Sequence, residues 1–268
     1  MTGESLPTNA THARGALALD VPPARVMLAI ETSNPSAWEG DAAPLGGAGV
    51  ALARGGPRGA LTPLGVAWLD ATRAHDDRLM PTIDELCRAH GVRPRDLTDV
   101  AVSIGPGGYT GLRIAVTTAK LLAEVTGARA IAVPSALVAA RRADHSGHPF
   151  AVAISSKGET TFLTAFAPRP GAVDEVEAAG PGRLIGADEL QSALAGADAR
   201  LLVADRFLPA SIRARAEALG VPIQRPRFDP LACAQAAASI EPVEPAALLP
   251  LYPREPEAVT RWRALHPR

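Results

Sequence analysis

The order of apolar and polar residues along this chain predicts strands that alternate with helices. Apolar runs of strand length cover residues 25–32, 48–54, 64–69, 99–104, 130–134, 150–154, 160–166, 200–204 and 221–223. Apolar residues at helical spacing cover residues 75–90, 110–126, 188–194, 209–219 and 230–240. Such alternation is typical of an α/β layered fold. The first three strands predict an antiparallel meander, and the strand pair that begins at Phe150 repeats its opening.

The helix predicted at residues 110–126 is apolar over more of its surface than one sheet can cover. At about 100° per residue, its polar side chains fall within one narrow stripe, and apolar side chains cover most of the remainder. A helix packed on a sheet needs an apolar stripe somewhat over about 100° wide, and this stripe is about twice that. We therefore expect this helix to be covered on a second side. Thr110 is the expected N-cap.

A glycine-rich turn joins the strand at 99–104 to this helix. Its residues Gly105, Gly107 and Gly108 could cradle a phosphate, because free N–H groups and the helix dipole converge at a helix N-terminus. The same glycines could instead allow a tight turn with close packing. The Lys-Ser/Thr pair of a Walker A loop is absent, and the spacing misses the dinucleotide GxGxxG pattern by one residue. Both alternatives stay open at this stage.

A second candidate phosphate loop follows the first strand. Thr32 and Ser33 are polar turn residues that could hold a phosphate or merely close a turn.

Composition narrows the class of protein. A length of 268 residues suits two domains, and a net charge of -1 gives no electrostatic case for the chain alone to bind nucleic acid. Cys87 and Cys233 match no disulfide or metal-site spacing, which favours a reducing compartment. The sequence has no apolar run of membrane-spanning length and no signal peptide pattern. We therefore expect a soluble cytoplasmic protein.

The polar stretch at 141–149 predicts a boundary between two domains, at residues 25–140 and 141–256. Residues 1–24 lack periodicity and are expected to form a flexible leader. The long segment at 35–47 is expected to be a mobile loop.

Two predictions concern the C-terminal region. Residues 245–254 contain too many prolines for regular structure and are expected to pack across the body in extended form. Residues 257–268 are expected to be a frayed tail, with a small partner-binding segment as the alternative.

Four segments in this order resemble the bacterial TsaB proteins, a glycoprotease-like family. They are residues 31–33 (Glu-Thr-Ser), 73–86, 105–113 and 245–252. The glycine-rich segment is the most specific, and the C-terminal segment points to TsaB in particular. The resemblance covers roughly residues 26–256. It implies the duplicated fold of actin, Hsp70 and sugar kinases, a ribonuclease H-like fold with two domains of mixed sheet and flanking helices.

The same resemblance implies that no metal site remains. TsaB proteins resemble TsaD, the catalytic subunit of the tRNA threonylcarbamoyladenosine machinery, and TsaD-like proteins bind a metal through two histidines four residues apart. The matching positions here are Ser135 and Ala139, and neither supplies an imidazole. Glu31 stands where the fold usually has an aspartate, and Ser155 stands at the second common aspartate position. Both departures weaken an ATPase interpretation.

Three functions compete at this stage. The first is a non-catalytic subunit that binds a TsaD-like catalytic subunit and supports threonylcarbamoyl transfer to N6 of the adenosine beside the tRNA anticodon, without a cofactor of its own. The second is a stand-alone ATPase or small-molecule kinase of the same fold, and the third is a metal-dependent hydrolase. By resemblance, an ATPase subunit joins the complex, tRNA is bound only indirectly, and a homodimer is an alternative when the partner is absent.

The predicted partner surface lies on the helices at 77–90 and 110–126. On the helical wheel, Leu121 and Val125 lie opposite Val116 and Ala123, so a sheet that covers one set leaves the other free. The preceding helix has an apolar face of its own with Met80 at the edge. The resemblance implies that two helices from each subunit pack as a four-helix bundle. The predicted contact residues are Leu79, Met80, Ile83, Leu86, Leu121 and Val125. The alternative is that the second domain or the C-terminal segment covers this surface.

Overall fold

A computed structural model describes residues 25–34, 47–55, 61–69, 75–169, 171–254 and 257–266. The expected leader and most of the expected loop at 35–47 lie outside the described residues. The strands are β1 (Arg25–Glu31), β2 (Gly49–Gly55), β3 (Thr62–Trp68), β4 (Asp99–Gly105), β5 (Arg129–Pro134), β6 (Phe150–Ser155), β7 (Thr161–Arg169), β8 (Ala172–Ala178), β9 (Arg183–Ile185), β10 (Leu202–Ala204) and β11 (Ile223–Gln224). The helices are α1 (His75–Ala89), α2 (Tyr109–Thr126), α3 (Ser135–Ala140), α4 (Ala187–Gly196), α5 (Ala210–Ala218), α6 (Pro230–Ala237) and α7 (Glu257–Leu265).

The first sheet is a mixed sheet of five strands in the order β3-β2-β1-β4-β5. Strand β1 pairs antiparallel with β2 and parallel with β4, and every residue of β1 is buried. Leu28 and Ile30 belong to the core under α1 and α2, whereas Met27 and Ala29 belong to the core with α3 and α6. This double coverage explains why β1 is a continuous apolar run rather than an alternating one. The predicted antiparallel meander of the first three strands is confirmed.

The second sheet repeats the arrangement of the first. Its order is β11-β10-β6-β7-β8, and β9 adds to β7. Strand β6 pairs antiparallel with β7 and parallel with β10, as β1 does with β2 and β4. Phe150 and Val152 belong to the core shared with α3 and α6, while Ala151 and Ala153 face the core with α4 and α5. The repeat of the opening strand pair, predicted from the sequence, is therefore present.

The two sheets share one core between them. Helices α3 and α6 lie in it, and α6 contacts β1 and β2 although it follows the second sheet in the chain. The fold is thus mixed α/β, with helices on the outer face of each sheet and between the sheets. The boundary expected at 141–149 stays a prediction, because α6 belongs in sequence to one half and packs on the other.

Several local predictions need correction. Thr110 is not the N-cap, since α2 begins at Tyr109 and the N-cap is Gly108 in extended conformation. Helix α3 escaped prediction because six residues are too few to show a helical period. Strands β8 and β9 were also missed. Residues 257–265, expected to fray, form the helix α7, whose sequence consists largely of good helix formers and contains no proline.

The segment of residues 245–254, hereafter the C-terminal strap, is predicted to pack across the body in extended form, and it lies against the end of β4 and the core under α1 and α2. It contains one short 3-10 turn at Pro245–Ala247, and Leu248 is buried in the core under α1 and α2. The backbone N–H of Leu251 donates to the carbonyl of Ile104 at 2.7 Å. Within the described ranges, no helix combines the length and apolarity needed to cross a membrane.

Candidate functional site

The two candidate phosphate loops lie against each other. Because β1 and β4 are parallel neighbours, the residues that follow them emerge at the same edge of the sheet. The N–H of Gly108 donates to the carbonyl oxygen of Ser33 at 2.6 Å, and the hydroxyl of Thr32 donates to the carbonyl of Gly111 at 3.0 Å. The structure thus brings together all five residues predicted for phosphate loops: Thr32, Ser33, Gly105, Gly107 and Gly108.

The glycines are needed for this contact. A Cβ atom on Gly107 would lie 1.7 Å from the carbonyl oxygen of Ser33, and one on Gly111 would lie 2.8 Å from the carbonyl oxygen of Thr32. Gly105 has a φ of 112°, a backbone conformation that other residues rarely adopt. Of the two alternatives that the sequence leaves open, this geometry favours the close-packed turn. The N–H of Gly108, which a phosphate would need, is already bonded to Ser33.

The C-terminal strap covers the glycine-rich loop from the other side. A Cβ atom on Gly105 would lie 2.9 Å from the carbonyl oxygen of Leu251. The strap is also held to α2, since Lys120 Nζ donates to the carbonyl of Ala246 at 3.0 Å. Its Tyr252 ring stacks on Tyr109 with centroids 5.2 Å apart. The loop is thus confined between Ser33 and the strap.

Glu31 is a buried acid with one oxygen unused. The N–H and the hydroxyl of Ser33 donate to Oε1 at 2.7 and 2.6 Å, whereas Oε2 is buried with no hydrogen-bond partner among the described residues. Burial raises the pKa of Glu31 to about 7, an effect larger than the lowering by the Ser33 hydrogen bonds, and the charge of Asp229 adds to the rise. Burial therefore makes this carboxyl harder to ionise than the exposed carboxylates that hold Mg²⁺ in nucleotide sites.

The positions of the TsaD-like metal ligands hold no ligand set. Ser135 is buried, and its hydroxyl shares a hydrogen bond of 2.8 Å with Ser103. Ala139 is fully buried in the core between the sheets. Across the described ranges, no group of three or more His, Cys, Asp or Glu residues could hold a metal ion. A hydroxyl and a methyl group do not fit a metal that needs imidazole ligands.

The predicted partner residues divide into two groups. Leu79, Ile83 and Leu86 are buried in the core under α1 and α2, so their side chains cannot form an exposed contact surface. Their apolar spacing reflects packing on the sheet, and their part in partner binding stays a prediction. Met80, Leu121 and Val125 are 49%, 59% and 84% exposed. These three residues form the exposed part of the predicted surface.

The orientation of α2 agrees with the helical wheel. Val116 and Ala123 are buried, and Leu121 and Val125 point outward. Over the last two turns of α2, no segment among the described residues buries the side chains of Leu121 and Val125, so the expected cover on a second side is not provided there by the described part of the chain.

A cluster at the other end of α2 escaped the sequence analysis. Tyr109, Tyr252 and Arg113 meet there, with the Arg113 guanidinium 5.2 Å from the centroid of the Tyr109 ring. The chain contains only two tyrosines, and they stack on each other although they are far apart in sequence. Local periodicity cannot predict this contact, because the two rings meet only where the strap packs on α2.

Parts of this chain are similar in sequence to known proteins. Residues 62–173 match the family model described as TsaD: tRNA N6-adenosine threonylcarbamoyltransferase. A segment of 49 residues is 47% identical to the tRNA threonylcarbamoyladenosine biosynthesis protein TsaB of Bacillus subtilis (strain 168), covering 18% of this chain and 21% of that protein. A segment of 96 residues is 36% identical to the tRNA N6-adenosine threonylcarbamoyltransferase of Bradyrhizobium sp. (strain BTAi1 / ATCC BAA-1182), covering 35% of this chain and 27% of that protein.

Two solved structures share the fold over most of the chain. One is described as an uncharacterized protein with similarity to peptidase YEAZ from Pseudomonas aeruginosa, with a TM-score of 0.62, 20% identity, and coverage of 86% of this chain and all of that chain. The other, YeaZ from Pseudomonas aeruginosa, has a TM-score of 0.52, 20% identity, and coverage of 85% and 99%. These two structures confirm the predicted fold class. The resemblance to TsaB proteins is supported by the 49-residue match to the B. subtilis protein.

The contact between the loops predicts that Gly107→Ala is strongly destabilising. The added Cβ would overlap the Ser33 carbonyl, and relieving that overlap should cost about 1–3 kcal/mol of unfolding free energy. Urea denaturation followed by circular dichroism measures this. The control is Gly180→Ala, because a Cβ there meets no atom within 4 Å. Equal unfolding midpoints for the two variants would show that the loops are not in contact.

The buried acid predicts a pH dependence of stability. The pKa of Glu31 rises from 4.5 to about 7 on folding because burial disfavours its charged form. Between these values the folded state holds more protons than the unfolded state, so the unfolding free energy falls as pH rises, by about 3 kcal/mol across the window.

Glu31→Gln should remove this fall, because the amide has no proton to lose. Urea denaturation of both proteins between pH 5 and pH 8 measures the difference. Parallel stability curves for the two proteins would mean that Glu31 is ionised throughout.

Proposed function

We propose that this chain is a non-catalytic subunit that binds a TsaD-like catalytic subunit and supports threonylcarbamoyl transfer to N6 of the adenosine beside the tRNA anticodon. The observation that carries the proposal is the exposure of Leu121 and Val125 on a helix whose opposite face is core. Large apolar side chains that point outward from a well-packed helix are typical of a protein-binding surface. We call Met80, Leu121 and Val125 the helix-pair surface.

The geometry of α1 and α2 suits a helical partner. The two helices contact each other and pack side by side on the same sheet face. Leu121 and Val125 are four residues apart, so they lie on adjacent turns of one face. Two large apolar side chains on adjacent turns suit ridge-and-groove packing against a helix.

A TsaD-like partner is favoured over other helical proteins for a specific reason. The match to the TsaD family model spans residues 62–173, which contain both α1 and α2. A TsaD-like protein therefore has a counterpart to this helix pair. Two such pairs can pack face to face as a four-helix bundle, an arrangement that similar surfaces favour. A homodimer through the same surface is the corresponding arrangement when the partner is absent.

Three features support a non-catalytic role. The glycine-rich loop is occupied by Ser33 on one side and the strap on the other. Burial raises the pKa of Glu31 to about 7, which disfavours the charged form that Mg²⁺ binding needs. Ser155, at the second position where the fold commonly has an acid, donates its hydroxyl hydrogen bond to Asp205. These features weigh against the ATPase or kinase alternative, and the metal-dependent hydrolase is the least supported.

The remaining parts of the proposal concern the complex as a whole and not particular residues of this chain. We expect an ATPase subunit in the same complex, a location in the cytoplasm with the tRNA substrate, and no cofactor held by this chain. The match to the B. subtilis TsaB protein, named for tRNA threonylcarbamoyladenosine biosynthesis, supports this assignment.

Leu121→Glu should weaken binding to the TsaD-like subunit. An unpaired carboxylate at an apolar interface costs several kcal/mol, so we expect affinity to fall at least about a hundredfold. Calorimetric titration of one subunit into the other gives the affinity. Because Leu121 is already exposed, the variant should unfold at the wild-type temperature, and unchanged affinity in a folded variant would place the interface elsewhere.

Two further variants sharpen that experiment. Met80→Glu tests the α1 side of the helix-pair surface and should also weaken binding. Leu265→Glu alters a leucine on α7 that is more exposed than Leu121 and should leave affinity unchanged. If only the Leu265→Glu variant loses binding, the C-terminal segment is favoured as the partner site.

A further inference from the structure

An exposed group of aromatic and cationic side chains lies where the strap meets α2. Tyr109 and Tyr252 stack with centroids 5.2 Å apart and planes inclined by 29°. They are 59% and 38% exposed. Arg113 Nη1 donates to the Tyr109 hydroxyl at 3.2 Å, and Arg254, two residues past Tyr252, donates to the hydroxyl of Thr160. We call Tyr109, Arg113, Tyr252 and Arg254 the tyrosine–arginine patch.

The two arginines keep their positive charge available to a ligand. Their hydrogen bonds go to neutral hydroxyl groups, and neither Arg113 nor Arg254 forms an ion pair with a residue in the described part of the chain. Two guanidinium groups at one exposed edge can form a locally basic surface even in a chain whose net charge is -1.

The patch occupies an edge that binds ligands in other α/β proteins. In open α/β sheets, ligands bind outside the carboxyl ends of the strands. Here β1, β4 and β6 all end in this region, but backbone contacts and the strap fill the first sheet's loops. The groups exposed at this edge are the two aromatic rings and the two guanidinium groups of the tyrosine–arginine patch.

A groove of about 420 Å³ lies beside the tyrosine–arginine patch. It is lined by Tyr109, Thr110, Arg113, Ile114, Thr117 and Thr118. The groove therefore offers an aromatic face, hydroxyl groups and one cation to the same occupant.

We propose that the tyrosine–arginine patch binds an unpaired stretch of the tRNA substrate, an inference that rests on the proposed function. Unpaired bases stack on exposed aromatic rings and arginine planes, and arginine binds phosphate oxygens. A paired helix offers no free base face, so the stacked tyrosines favour single-stranded RNA. A protein partner fits the apolar helix-pair surface better than it fits the tyrosine–arginine patch.

The two surfaces can act together because both lie on α2. The helix spans 18 residues, or roughly 27 Å at 1.5 Å per residue. Tyr109 begins the helix and Val125 lies at its end. A catalytic subunit bound along α1 and α2 would therefore have RNA held within one helix length of its own contact surface.

The test measures tRNA binding by the assembled complex. Fluorescence anisotropy with a labelled, unmodified tRNA transcript that has adenosine 3′ to the anticodon gives affinity at several salt concentrations. Arg113→Gln and Arg254→Gln should each weaken binding by about three- to tenfold and lower the salt slope by roughly 0.7, the value for one lost contact to single-stranded phosphate. Tyr252→Leu should weaken binding by about tenfold without changing the slope.

A matched control is Arg183→Gln, since Arg183 is an exposed arginine outside the patch whose charge is already paired with Glu189. It should leave both affinity and slope unchanged. Calorimetry with the catalytic subunit is run on every variant. Wild-type tRNA affinity in the tyrosine and arginine variants would overturn the proposal. If these variants instead lose affinity for the catalytic subunit, the patch belongs to the protein interface, and the proposal is overturned as well.

Failure of the proposed function gives a different result. In that case the wild-type chain forms no complex, and the same tRNA is titrated against the chain alone. RNA binding by this edge is supported if the isolated chain binds tRNA in a salt-dependent way and if this affinity falls in the patch variants but not in Arg183→Gln. Absence of binding by the isolated wild-type chain would overturn it.

Discussion

The contact between Ser33 and the glycine pair at 107 and 108 determines the arrangement at the carboxyl edge of the first sheet. It joins the ends of two parallel strands through a backbone hydrogen bond of 2.6 Å, and Gly107 has no room for a side chain. This contact fixes where α2 begins, because Gly108 is its N-cap. The starting point in turn fixes which side chains of α2 face the sheet. Leu121 and Val125 then point outward as a consequence of how the loops pack.

The same contact changes what the edge can do chemically. A glycine-rich loop at a helix N-terminus can bind phosphate only if its N–H groups are free, and here Gly108 donates to Ser33. The strap packs on the opposite side of the loop, and burial raises the pKa of the neighbouring Glu31 carboxyl to about 7. The features that would support nucleotide chemistry therefore serve internal packing. The surfaces that we propose for recognition are the outward face of the helix pair and the aromatic and cationic end of α2.

Much of this fold could be predicted from the sequence because its strands are strongly apolar and its glycines are distinctive. The repeat of the opening strand pair at Phe150 and the orientation of Leu121 follow from periodicity alone. The burial of Leu79, Ile83 and Leu86 could not be separated from an interface by periodicity, since a core face and a contact face have the same spacing. The stacking of Tyr109 on Tyr252 and the bond between Ser33 and Gly108 join distant segments, and only the fold brings these residues together. The short helix α3 and the strands β8 and β9 lacked a long enough pattern.

The most direct test of the central claim is whether the chain alone binds and turns over nucleotide. Calorimetric titration of ATP with Mg²⁺ into the purified chain, followed by an assay for released phosphate, measures both. Because the glycine-rich loop is closed by Ser33 and the strap, we predict no binding tighter than about 1 mM and no phosphate release above that of buffer. Micromolar binding accompanied by turnover would contradict the account, because it would require the loop to open and its N–H groups to hold phosphate.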